Sequence, residues 1–93
     1  MSESERSPDN LPVSFVSFLV SLGSSALVHL GEIPDPGTGG SDRDLVLAHH
    51  TIEVLGLLQE KTKGNLDDDE RQLLEALLFD LRTKYLAATT SPT

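Results

Sequence analysis

The chain is 93 residues long, has no cysteine, and sets fifteen acidic residues against seven basic ones for a formal net charge of −8. That length makes one domain with limited buried surface, for which helix association is a common remedy, and the missing cysteines exclude both a disulfide framework and a thiolate metal site. The acid excess and the scattered basic residues exclude direct binding to a phosphate backbone and count against an anionic membrane surface.

In chain order, residues 1–12 are polar and acidic with nothing to pack, and are expected to form a disordered tail ahead of a single helical domain over 13–88; residues 89–93 are expected to form a second tail. A first helix is expected from about Val13 to Leu30, with Pro12 near its first turn and Gly31 as a left-handed stop. At about 100° per residue, Phe15, Val16, Leu19, Val20, Leu22, Ala26, Leu27 and Leu30 share one broad face. Ser14, Ser17, Ser21, Ser24 and Ser25 take the other side. The uncharged run from Asn10 to Gly31 is not a secretory signal, since its lead is Ser2-Glu3-Ser4-Glu5-Arg6 and no small-residue cleavage site follows. A membrane-associated helix over Val13–Leu30 is the alternative for this segment. It is near the lower length limit for a span, and its serine stripe would have to face lipid.

From Gly31 to Arg43 two prolines and four glycines exclude regular structure, and a loop this long is often functional or mobile. Ile33 is expected to anchor one end of it. The second helix is expected over Asp44–Thr62, with Ser41, Asp42 or Asp44 as N-cap and Lys61 and Lys63 near the negative end of its dipole. Leu45, Ala48, Ile52, Leu55 and Leu58 form its main stripe, while Val46, His50, Val54 and Leu57 line a second flank. Gly64-Asn65 turns the chain. The third helix opens on Asp67-Asp68-Asp69-Glu70, where Asp67 and Glu70 have capping-box spacing, and is expected to reach about Ala88. Leu74, Leu77, Leu78, Leu81 and Tyr85 make its core face. Ala76, Phe79, Thr83 and Leu86 recur three and four residues apart on nearly the opposite side.

Two helices that each want two faces buried imply a further chain, because three short helices closing on themselves leave one face of each in water. Singly exposed apolar residues are ordinary on any surface, but a contiguous set is a mark of contact. Val46, His50, Leu57, Ala76, Phe79, Thr83 and Leu86 are therefore the expected oligomer or partner interface.

No residue set suggests catalysis or a cofactor. His49 and His50 are adjacent and point about 100° apart on a helix, and His29 is far from them in sequence, so no metal-ligand spacing exists. Glu32, Asp35, Asp42 and Asp44 lack the alternating ligands and closing glutamate of a calcium loop, as does the 67–70 cluster, which helix-start electrostatics accounts for. There is no nucleophile elbow, no phosphate-cradling loop and no His-Glu-x-x-His.

Several segments taken together carry a family resemblance: Phe15-x-x-Phe18-x-x-Ser21-Leu22, Ala26-Leu27-Val28-His29-Leu30-Gly31, Ile33-Pro34-Asp35-Pro36, Glu60-Lys61-Thr62-Lys63-Gly64-Asn65-Leu66 and Leu81-Arg82. Over about Val13 to Leu86 the chain resembles a bacterial family of short proteins known as domain of unknown function eighteen-forty-four. The resemblance implies no activity, substrate or cofactor. The Gly37-Thr38-Gly39-Gly40 stretch departs from the more acidic loop of similar sequences, which argues against a fixed loop structure here.

The expected architecture is all-α: a three-helix unit with a long loop between the first two helices and a tight hairpin between the last two, assembled as a helical homo-oligomer. The expected role is that of a non-enzymatic cytosolic adaptor or regulator. Its partners would be itself and another protein, with no nucleic acid, no cofactor and, as first choice, no membrane.

Overall fold

The computed structural model describes residues 13–35, 37, 39, 40 and 43–90. Every regular element among the described residues is an α-helix: α1 (Phe15–Leu30), α2 (Leu45–Lys61) and α3 (Asp68–Thr90).

Local hydrogen bonds decide where each helix begins. Ser14 adopts an extended backbone, and its hydroxyl accepts from the Ser17 N–H at 3.0 Å while the Ser17 hydroxyl accepts from the Ser14 N–H at 3.3 Å. This reciprocal box occupies two otherwise orphaned donors, so α1 starts at Phe15 and not at Val13. Pro12, expected in the first turn, lies outside the described residues. α1 ends on Gly31 at φ 82°, whose N–H donates to the Val28 carbonyl at 3.0 Å while the Glu32 N–H donates to Leu27 at 2.9 Å. That bond pair requires a left-handed residue, which glycine supplies without a Cβ penalty.

The connection to α2 is irregular but not formless. Asp35 organises it: its N–H donates to the Gly40 carbonyl at 2.8 Å, its carbonyl accepts from Gly39 at 2.7 Å, and its carboxylate accepts from the Gly37 N–H at 2.7 Å. Gly37, Gly39 and Gly40 thus take part in a turn tied to Asp35. Ile33 is exposed and is not among the residues packed on the core, contrary to expectation.

Asp44 caps α2 by accepting from the Leu47 N–H at 3.1 Å, and its own N–H donates to the His29 carbonyl at 2.7 Å. The start of α2 is therefore tied to the end of α1. Ser41 and Asp42, the other expected caps, lie outside the described residues. Arg43 packs against Gly31 and donates to the Ala88 carbonyl at 3.3 Å, placing a cation at the C-terminal end of α3, whose own last turn has none. After Lys61 the chain reverses through Gly64 at φ 88°.

α3 opens as its sequence dictates. The Asp67 carboxylate accepts from the Glu70 N–H at 2.8 Å, and the Glu70 carboxylate accepts from the Asp67 N–H at 3.0 Å. Replacing Asp67 with alanine removes one arm of the box and is expected to cost about 1 kcal/mol, or roughly 4–8 °C in Tm for a domain of this size. A thermal melt of Asp67→Ala that overlays the wild type would show the cap to be inert. α3 continues to Thr90, past the expected end near Ala88.

The core takes three residues from each helix: Leu19, Ala26 and Leu30; Ala48, Ile52 and Leu55; Leu74, Leu78 and Leu81. Each helix packs against both others. On α1 the buried line is narrower than the expected face. Val16 and Val20 are exposed, and Gly23 is buried in their stead. The cause is α3, which approaches α1 so closely that a β-carbon at Gly23 would stand 3.0 Å from the Leu77 Cδ2. No helix among the described residues is long and apolar enough to cross a membrane. The alternative of a spanning helix over Val13–Leu30 is thereby corrected: α1 has 16 residues and commits Leu19, Ala26 and Leu30 to the protein core.

Candidate interaction surface

The outer sides of α2 and α3 carry the residues expected to form an interface. On α3, Ala76, Phe79, Thr83 and Leu86 are all exposed, with Phe79 at 76% and Leu86 at 60%. On α2, Val46 at 79% and Leu57 at 55% are exposed, as is His50, whereas Val54 is half-buried.

Arg82 lies between the two helices. It lies one turn from both Phe79 and Leu86 along α3. Its guanidinium reaches across to α2, where Nη2 stands 3.2 Å from the point a β-carbon at Gly56 would occupy. Arg82 shares a shallow depression there with Glu53, Leu57 and Glu60. A glycine at 56 leaves room for the Arg82 guanidinium against α2.

Sequence reasoning missed the extent of the α3 stripe. Counting onward at alternating four- and three-residue steps adds Gln72 before Ala76 and Thr90 after Leu86, and both are exposed. The same count was available in the sequence; those residues are polar and so carry no hydrophobic signal. Thr83 and Thr90 each turn their hydroxyl back onto the helix, donating to the Phe79 and Leu86 carbonyls at 2.8 Å in both cases. Their only side-chain donors are satisfied internally.

The charged groups around this surface are mostly paired within their own helix. Arg71 donates to Asp68 at 3.1 Å and approaches Glu75 at 3.7 Å; Lys84 pairs with Asp80. The hydrogen bond to Asp68, helped by the Glu75 charge, raises the Arg71 pKa, and the hydrogen bond to Asp80 raises that of Lys84. A raised pKa on a cation means its pairing contribution is complete below the ordinary value and is lost only as pH climbs through the higher folded value. Both pairs therefore persist across the whole neutral range. They are exposed, however, and such pairs contribute little to stability.

The remaining sequence candidates are dispersed. His49 approaches Glu53 at 3.6 Å and packs its ring against Tyr85 with centroids 5.3 Å apart; His50 faces outward on α2; His29 sits 3.4 Å from the Ser25 hydroxyl on α1. Among the described residues no three histidine or carboxylate side chains converge on one point. Of the acids weighed for calcium, Asp35 serves its own turn, Asp44 caps α2, and Asp67 and Glu70 cap α3. Asp42 lies outside the described residues. A groove of about 630 Å³ opens at the α2–α3 turn, with Leu66 and Leu74 as apolar lining and Lys63, Arg71 and Glu75 among its charged walls. Arg71 and Glu75 are already engaged with each other there, so the groove presents no aligned set of like charges.

No curated protein and no solved structure matches the chain. A family model described as a domain of unknown function (DUF1844) matches residues 12–87, a span that includes all of α1 and α2 and nearly all of α3. Since the match takes in both the glycine-terminated α1 and the α2–α3 hairpin that carries the exposed surface, the chain belongs to the DUF1844 family.

Proposed function

We propose that this protein is a non-catalytic cytosolic interaction module, an oligomeric adaptor or regulator that works through helix-mediated contacts with a second copy of itself and with another protein. One observation carries this: Val46, Leu57, Phe79 and Leu86 stay more than half exposed on two neighbouring helices, although each helix already buries a full core stripe. Large apolar side chains left in water in such number on neighbouring helices are a mark of contact with another chain. The acid excess keeps the protein from phosphate backbones and leaves apolar contact as its main means of recognition.

Phe79→Asp and Leu57→Asp test the proposal. A carboxylate set in an apolar interface must be desolvated without a partner, so each variant is expected to weaken self-association at least about tenfold, roughly 1.4 kcal/mol or more. Helicity by circular dichroism should stay at the wild-type level, since both positions are outside the core. Wild-type oligomer mass in both variants would refute this surface as the interface.

A further inference from the structure

We infer that Arg43 is a latch that holds the last turns of α3 against the ends of α1 and α2, so that the state of the α1–α2 connection is passed to Leu86. The consequence for Leu86 rests on the face proposed above; the latch itself does not.

Arg43 and Asp44 are neighbours in sequence, and between them they meet all three helices. The Asp44 carboxylate caps α2, and its N–H donates to the His29 carbonyl in the last turn of α1. The Arg43 stem lies over Gly31, where a β-carbon would stand 3.6 Å from its Cβ, Cγ and Cδ. With its backbone set by Asp44 and its stem set by Gly31, the guanidinium has little freedom left, and its Nη2 donates to the Ala88 carbonyl at 3.3 Å. Much of the ordering entropy that weakens an exposed contact of this kind has already been lost to the neighbouring contacts.

α3 needs such a partner at that end. Its last four carbonyls have no helical N–H beyond them to accept from, and its last turn carries no basic residue to face the negative end of the dipole. Thr89 and Thr90 turn their hydroxyls back to the Leu86 carbonyl, while the Ala88 carbonyl accepts from Arg43. Tyr85 and Ala88 pack on the core from these turns, and Leu86 between them is exposed. Holding Ala88 therefore holds Leu86 in its place on the outer surface.

The other end of the connection makes a second tie. The Lys84 pKa is raised first by the hydrogen bond to Asp80 and further by the charge of Glu32, the residue after the Gly31 stop. Both ends of one connection thus face the same end of α3, and each carries the charge opposite to its target: Glu32 toward a cation, Arg43 toward the negative end of the helix.

Hydrogen exchange of the full chain, followed amide by amide by NMR, tests the latch in Arg43→Ala and Arg43→Lys. Arg43→Ala is expected to speed exchange over Leu86–Thr90 roughly two- to fivefold, the scale of one cation at a helix end, while the core amides of Leu74–Leu81 keep their rates. Arg43→Lys keeps the charge and should recover part of the protection. About 1 M salt should narrow the difference between wild type and Arg43→Ala, because the contact is exposed and therefore screened. Unchanged exchange over Leu86–Thr90 in Arg43→Ala would overturn the latch. Equal acceleration through Leu74–Leu81 would overturn it as well, by showing a loss of overall stability in place of a local release. A single-chain mass in solution would remove the consequence for Leu86 and leave the exchange result standing.

Discussion

Truncating Leu81 to alanine lowers the folding free energy by about 2–5 kcal/mol, the range for a leucine removed from a packed core. Leu81 is fully buried in the cluster that all three helices share, so the space left behind borders each of them. A domain of this kind has a total stability of about 5–15 kcal/mol, and the variant should sit close to its unfolding transition at ordinary temperature. Urea denaturation followed by circular dichroism reads the effect as a lower midpoint. Leu77→Ala, at a half-buried site, should lose less. A loss at Leu81 below about 1 kcal/mol would mean that α3 does not present this face to the core.

The second large effect is expected at Gly23. A β-carbon there would stand 3.0 Å from the Leu77 Cδ2, tighter than ordinary contact, but that atom is the end of a flexible side chain. Gly23→Ala is therefore expected to be nearly neutral, since the roughly 1 kcal/mol gain in helix propensity offsets a small shift of Leu77. Gly23→Val adds two methyl groups that Leu77 cannot evade, and overpacking of this type costs about 1–3 kcal/mol. Thermal melts of the two variants separate a close helix contact from mere conformational preference. Equal Tm values for the alanine and valine variants would show that α1 and α3 are not in contact at Gly23.

The parts of this fold legible in the sequence were those set by neighbours along the chain. The Asp67–Glu70 box, the Gly31 stop and the cap at Asp44 each depend on side chains and backbone within a few residues, and each has its expected partners. The stripes of α2 and α3 were legible for the same reason, because periodicity reports which residues share a face. What periodicity cannot report is which part of a wide apolar face the neighbouring helices cover. On α1 eight apolar residues span a broad arc, and the placement of α3 against Gly23 leaves Val16 and Val20 exposed. The start of α1 was misplaced because Pro12 is a familiar first-turn residue, while a Ser14–Ser17 box uses a serine where glutamate or glutamine is usual. At the candidate surface, Phe79 and Leu86 stood out by hydrophobicity. The placement of Arg82 against α2 did not, since it depends on a glycine 26 positions earlier lying across the hairpin.

The central claim is that the exposed face of α2 and α3 is covered by a second copy, and the mass of the purified protein in solution tests it most directly. Light scattering over a wide concentration range is expected to show twice the chain mass at high concentration, falling toward the single-chain mass on dilution. A single-chain mass throughout would contradict the account.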